Sequence, residues 1–301
     1  MGWAVCDGGA RIGGAGVKRA RKIAVTGASG FIGRHVLAEL KRHPVDVVAV
    51  TRDAGSIADA GSSIQVVEMD IAQTGADRYE RLGRPDVLIH LAWDGLPNYK
   101  SLHHFETELP KQYRFLKALI EAGLPALLVA GTCFEYGMQC GTLSEDLVPS
   151  PCTPYGYAKD ALRRQLEFLG ASRSFRLAWA RLFYLYGDGQ AKNSLFPQLR
   201  AAVARGDRVF DMSGGEQLRD YLPVIEVARL LVKLALCDCG GVVNVCAGEP
   251  ISVQRLVEKW LKQNAWNITL NLGYFPYPDY EPMAFWGSCR RLDAILERDK
   301  K

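Results

Sequence analysis

The sequence predicts an α/β protein, a doubly wound parallel sheet with a smaller C-terminal substrate-binding lobe. Short apolar strands alternate with helical segments as far as residue 186. Those strands are apolar throughout instead of alternating in polarity, the pattern of strands buried on both faces. After Gly187 Pro and Gly become frequent and the strands lose definition.

The elements follow in order. Residues 1–21 are Gly-rich and basic without an apolar stretch, and read as a disordered leader or linker, not a signal peptide. Residues 23–25 form a strand, 27–33 a turn, and 31–40 a helix by the spacing of its apolar residues. Strands are expected at 46–52, in SIQVVEMD ending at Asp70, and at 85–93. A helix spans 105–122 and stops at Gly123, and a strand covers 125–132. The segment CTPYGYAKDALRRQLE, 152–167, is helical, and a further strand covers 175–183. Later, 193–207 looks helical, 242–248 is a returning strand, and 251–261 is an amphipathic helix opened by Ser252. The stretch 272–288, rich in aromatics and Pro, reads as a loop folded over a pocket. The chain divides accordingly: a dinucleotide-binding domain at 22–186 with a returning segment near 223–248, and a lobe from 187–222 and 249–301. There is no internal repeat.

Composition narrows the function. The 301 residues carry a net charge of only +4, with Lys and Arg spread along the chain, so nothing points to nucleic acid. No apolar run approaches the roughly 20 residues that span a membrane. The closest of the eight cysteines, Cys237 and Cys239, lack zinc spacing, and all five histidines lie at or before His104. No metal site is expected. Scattered cysteines without a secretion signal suggest a reducing, cytoplasmic setting.

TGASGFIG holds Gly27, Gly30 and Gly33 between a strand and a helix. This Rossmann-like context needs a tight turn, close approach to a pyrophosphate and an open helix N-terminus. The alternative is an ordinary strand–helix turn. The candidate cofactor-binding residues here are Gly27, Ser29, Gly30, Phe31, Ile32 and Gly33. Arg52 and Asp53 end the second strand. If that strand stops at Val50 or Thr51, Arg52 meets a 2′-phosphate and the cofactor is NADP(H); a one-residue shift favours Asp53 and NAD(H). Asp70 and Ile71 end the third strand, where Asp70 bonds the adenine or caps a helix. Leu91 and Ala92 follow the fourth.

Tyr155 and Lys159 stand at i and i+4 at the start of a helix, on one face. An ammonium there lowers the phenol pKa and holds the cofactor ribose. Tyr157 lies about 200° round the helix from Lys159 and faces elsewhere.

With TGASGFIG, HLAW, GTCFEYG, YGYAK, RLFYLYG and LRDYLPVIEVA in order, the chain from about residue 22 onward resembles the extended short-chain dehydrogenase/reductase family of nucleotide-sugar epimerases, dehydratases and reductases. The resemblance implies a catalytic Thr132, five residues before Gly137, bonding the sugar oxygen. Tyr155 then moves the proton, Lys159 supports it, and nicotinamide C4 moves the hydride. The departures carry information. Cys133 and Phe134 stand where 4,6-dehydratases carry Asp and Glu, and enzymes that also epimerise C3 and C5 need a Cys at Phe134 and a later His. Tyr184 replaces the substrate asparagine. What remains is a 4-ketoreductase, or the reverse alcohol oxidation; GTCFEYGMQCG with FWGS further resembles reductases acting on dTDP-4-keto-6-deoxy sugars. A 4-epimerase with tightly bound NAD and a non-catalytic NADP-sensing or scaffold protein are the alternatives. The resemblance places Arg219 on the nucleotide diphosphate. Arg208 and Phe210 could flank the base, against a solvated Arg208. Trp93 and Tyr99 either wall the sugar site or pack the core. Family dimers imply a homodimer through 105–122 and 157–169.

Overall fold

A computed structural model describes residues 20–298 except 61, 62, 74 and 76, so the expected leader lies outside it apart from its last two residues. The strands are β1 (Arg21–Thr26), β2 (Val45–Thr51), β3 (Ile64–Glu68), β4 (Val87–His90), β5 (Ala126–Thr132), β6 (Arg176–Leu182) and β7 (Gly241–Val245). They form one sheet in the order β7-β6-β5-β4-β1-β2-β3, every neighbouring pair parallel. The direction of winding reverses between β1 and β4, the switch point where such sheets bind ligands. All four residues of β4 and all seven of β5 are buried, which is why neither alternates in polarity.

Helices cover both faces. On one side α1 (Phe31–Leu40) meets a later helix, Val224–Leu236. Val36, Leu37 and Leu40 pack there with Val227, Leu231 and Leu234. On the other side α2 (Leu109–Glu121) and α3 (Pro154–Gly170) lay Phe115, Leu116, Leu162 and Leu166 over Leu127 and Trp179. The segment expected to be helical from residue 152 starts at Pro154, because Thr153 caps it; its hydroxyl accepts from Gly156 N–H at 3.1 Å.

The lobe has its own core. It is built from α4 (Leu195–Arg205), α6 (Val253–Asn264) and several short strands, whereas α5 (Val224–Leu236) belongs to the sheet core. Trp260 of α6 lies 4.9 Å from Phe196 and 5.0 Å from Tyr186, ring centre to ring centre. Ser252 caps α6 as expected, its hydroxyl accepting from Arg255 N–H. The terminal helix α7 (Arg290–Arg298) leaves the lobe and returns to the sheet, where Leu292 joins the α1 core. Cys237 and Cys239 form a disulfide, and the other described cysteines are free thiols. Among the described residues no helix is long and apolar enough to cross a membrane, and no cluster of His, Cys, Asp or Glu could hold a metal.

Phe115 is fully buried between α2 and the sheet. Phe115→Ala should destabilise the protein by about 3–5 kcal/mol, read from urea unfolding midpoints.

Candidate active site

A cavity of about 610 Å³ opens at the switch point, within the range of about 300–1,000 Å³ usual for small-molecule sites. The glycine turn forms one wall. Gly27 has φ +68°, and a Cβ there would lie 2.8 Å from Ala92 N; a Cβ on Gly33 would lie 2.2 Å from Gly27 O. These two positions accept only glycine, so α1 sits tight against the turn. Gly30, Phe31, Ile32 and Gly33 of the first turn of α1, with Ser29, line the cavity. No side chain caps α1, leaving its first N–H groups for an anion. The cradle therefore fits a dinucleotide pyrophosphate.

β2 ends at Thr51, so Arg52 is the first residue beyond it. Arg52, Asp53, Asp70, Ile71, Leu91 and Ala92 all line the cavity. Asp53 accepts from Gly55 N–H, and Asp70 accepts from Ala72 N–H, closing its own turn. Behind them His90 lies fully buried between Thr26 Oγ1 and Gln112 Oε1, 2.7 Å from each. Burial pulls its pKa down to about 3, so it stays neutral and ties β1, β4 and α2 together.

Thr132 ends β5. Its hydroxyl accepts from Phe134 N–H while its own N–H donates to Glu135 Oε1 at 2.9 Å, a reciprocal cap on the following turn. Glu135 is fully buried and also accepts from Trp179 Nε1 at 2.9 Å and from Arg181 Nε at 2.7 Å. Its carboxylate thus faces the sheet instead of the cavity.

Tyr155 and Lys159 share the buried face of α3, whereas Tyr157 is 55% exposed and meets Phe105 edge-on. Lys159 Nζ donates to Ala130 O at 2.8 Å and stands 3.9 Å from the centre of the Trp93 ring. Burial pulls Lys159 down to about 7, against the pull of Glu135 and Glu108. Burial pushes the Tyr155 phenol above its ordinary range, and the nearby Thr132 hydroxyl opposes that shift. The expected lowering of the phenol by Lys159 is therefore not met. The ammonium lies 5.9 Å from the Tyr155 ring centre, and desolvation outweighs it. Tyr155 is held as a protonated phenol.

Trp93, Tyr99, His104 and Phe134 surround the Tyr155 ring at 6.0, 5.6, 5.2 and 6.1 Å. Trp93, Cys133, Phe134 and Tyr184 line the cavity; Arg208, Phe210 and Arg219 do not. Arg208 is exposed, and Phe210 is buried in the lobe core. Arg219 is buried and donates to Glu281 Oε2 at 2.8 and 3.2 Å and to Leu218 O and Met283 O. The sequence reading missed His104, Asp94, Tyr280 and Glu281. Tyr280 lies 6.0–6.1 Å from Phe134 and Tyr99, and Lys100 holds the neighbouring Asp279 at 2.6 Å. The only sequence signal for this wall was the aromatic and Pro content of 272–288.

Glu135→Ala would leave Arg181 buried without its counter-charge and should cost about 3–5 kcal/mol in chemical denaturation. A second expectation concerns pH. Unfolded, Lys159 takes up its proton below about 10.5; folded, only below about 7. Between these values unfolding takes up a proton. Its contribution therefore makes stability rise with pH across that window, by up to about 1.4 kcal/mol per pH unit, and is at its most unfavourable below it. Lys159→Met should flatten the slope relative to the unsubstituted protein, measured by urea unfolding of the cofactor-free form.

A sequence profile of the NAD dependent epimerase/dehydratase family matches residues 23–246. A dTDP-6-deoxy-L-talose 4-dehydrogenase (NAD(+)) of Aggregatibacter actinomycetemcomitans is 30% identical over 88% of this chain and 99% of its own length. Among solved structures, MoeE5 in complex with UDP-glucuronic acid and NAD is 29% identical with a TM-score of 0.78, covering 92% of each chain. A UDP-glucuronic acid 4-epimerase from Bacillus cereus, in complex with UDP-glucuronic acid and NAD, is 25% identical with a TM-score of 0.79, over 92% of this chain and 93% of that one. With its glycine turn and Tyr155–Lys159 pair on a doubly wound sheet, the chain belongs to the NAD dependent epimerase/dehydratase family, within the extended short-chain dehydrogenases/reductases.

Proposed function

We propose that this protein is a nicotinamide-dependent oxidoreductase acting at C4 of a nucleotide-linked 6-deoxyhexose, reducing the 4-ketone or oxidising the 4-alcohol. One observation carries the reading. Thr132 and Tyr155 line the same cavity, Cys133 and Phe134 follow Thr132 in the chain, and the next carboxylate, Glu135, is turned into the sheet. A hydroxyl pair without a neighbouring base suits proton transfer at one oxygen and lacks the group that eliminating water requires. Similarity to a 6-deoxytalose 4-dehydrogenase supports the same chemistry.

The roles follow. The glycine turn and the open end of α1 take the cofactor pyrophosphate. Bound NAD(P)(H) would supply or accept the hydride. Tyr155 donates its proton to the sugar oxygen in the reducing direction, which suits a phenol held protonated, and Thr132 orients that oxygen. Lys159, buried against Ala130 and Trp93, positions α3 and offers its ammonium to the cofactor ribose. The walls of Trp93, Tyr99 and Phe134 suit the apolar face of a deoxysugar. Because β2 ends at Thr51, Arg52 is assigned to the adenosine 2′-position, favouring NADP(H) over NAD(H).

A second reading, a 4-epimerase that retains NAD, is favoured by the similarity to UDP-glucuronic acid 4-epimerase. Purified protein offered dTDP-4-keto-6-deoxyhexoses with NADPH or NADH should consume the reduced cofactor. Epimerisation with no net consumption, and NAD released on denaturation, would select the second reading instead. With the best substrate, Tyr155→Phe should lower kcat by about 10²–10⁴-fold with cofactor binding intact, and Tyr157→Phe should change it little. If Tyr157→Phe is the inactive variant, the assignment is wrong.

A further inference from the structure

Arg52 and Asp94 follow different strands, β2 and β4, which flank β1 on its two sides. A link between them therefore crosses over the glycine turn that follows β1. The link is present: Arg52 Nη1 lies 3.3 Å from Asp94 Oδ2, and both residues line the cofactor cavity. The two ends are held differently. Asp94 is anchored from behind, because Lys111 Nζ lies 3.1 Å from the same carboxylate oxygen and Asp94 N–H donates to Oε2 of the fully buried Glu108 at 3.1 Å. Arg52 is the loose end; its side chain is 69% exposed, and among the described residues Asp94 is its only ion-pair partner.

This geometry gives the two nicotinamide cofactors different environments. A 2′-phosphate reaching for Arg52 competes with a carboxylate already there and is repelled by its charge. A 2′-hydroxyl meets a neutralised pair and has no such conflict. Lys111 tempers the repulsion without removing it, since it also pairs with Glu108.

We propose that Asp94 is a specificity-determining residue for the cofactor: by holding Arg52 across the mouth of the site it sets the ratio of NADP(H) to NAD(H) affinity. Asp94 acts against the phosphate preference that Arg52 alone would impose, lowering NADP(H) affinity toward that of NAD(H). The proposal rests on the assignment of Arg52 to the adenosine 2′-position.

The test is a double-mutant cycle on the full chain, with dissociation constants for NADPH and NADH read from cofactor fluorescence. Asp94→Asn keeps the size of the side chain and removes its charge. It should tighten NADPH by about three- to tenfold, the scale of an exposed charge interaction, and leave NADH within about twofold. The gain should shrink as salt is raised and be clearly smaller when Arg52 is already Ala. Asp94→Ser should repeat the result and guards against an effect peculiar to the amide. An unchanged NADPH affinity in both variants, or an equal gain in the Arg52→Ala background, overturns the proposal. The underlying assignment is read separately: Arg52→Ala alone should weaken NADPH far more than NADH. Equal losses there would sink the assignment of Arg52, whereas selective loss with a silent Asp94→Asn would sink only the role of Asp94.

Discussion

Glu135 and Arg181 bury opposite charges 2.7 Å apart where β5 and β6 end, with both side chains almost wholly removed from solvent. Such a pair repays its desolvation only when the remaining lone pairs and protons are also engaged. Here those of Glu135 are, while Arg181 Nη1 is buried without a hydrogen-bond partner. Glu135 takes Thr132 N–H and Trp179 Nε1 as well, and Arg181 lies 4.5 Å from the centre of the Tyr136 ring. Tyr136 in turn donates to Asn244 of β7, whose amide donates to Leu143 O. One carboxylate thus joins β5, β6 and β7 to the turn that carries Thr132, Cys133 and Phe134. Thr132 keeps its place in the cavity wall because that turn cannot rotate without breaking the network.

The same economy governs the other side of the site. Lys159 is buried against the Ala130 carbonyl and the Trp93 ring, and burial pulls it toward neutrality, while the burial of Tyr155 keeps the phenol protonated. On the lobe side of the site, aromatic packing and an ion pair hold the wall together. Tyr280 packs against Tyr99 and Phe134, and Glu281 occupies Arg219. An arginine expected on a diphosphate is satisfied within the protein, because its guanidinium is buried and a buried cation without a counter-charge is costly.

Much of the fold could be read directly from the chain. Unbroken apolar runs such as ALLVAGT become strands buried on both faces, and helical spacing at 31–40 and 105–122 becomes the layers that bury them. The glycine spacing was legible because a Cβ at Gly27 or Gly33 would collide with backbone, a constraint written in residue type. The separation of Tyr155 from Tyr157 was also local, since helix angle follows from neighbouring residues; the end of β2 was left open by the sequence and falls at Thr51, the last residue paired with β3.

Residue type and spacing by themselves determined the doubly wound sheet, the phosphate-binding turn and the helix face shared by Tyr155 and Lys159. Those depend on contacts a few residues apart or on backbone sterics. The tertiary structure alone decided which charges meet. Glu135 with Arg181 is 46 residues apart, Arg52 with Asp94 is 42, and Arg219 with Glu281 is 62. No periodicity encodes such pairings, because they arise where loops from separate strands converge at one edge of the sheet. The direction of a pKa shift belongs to the same class: the chain shows that Lys159 stands near Tyr155, but only burial decides that desolvation outweighs the ammonium.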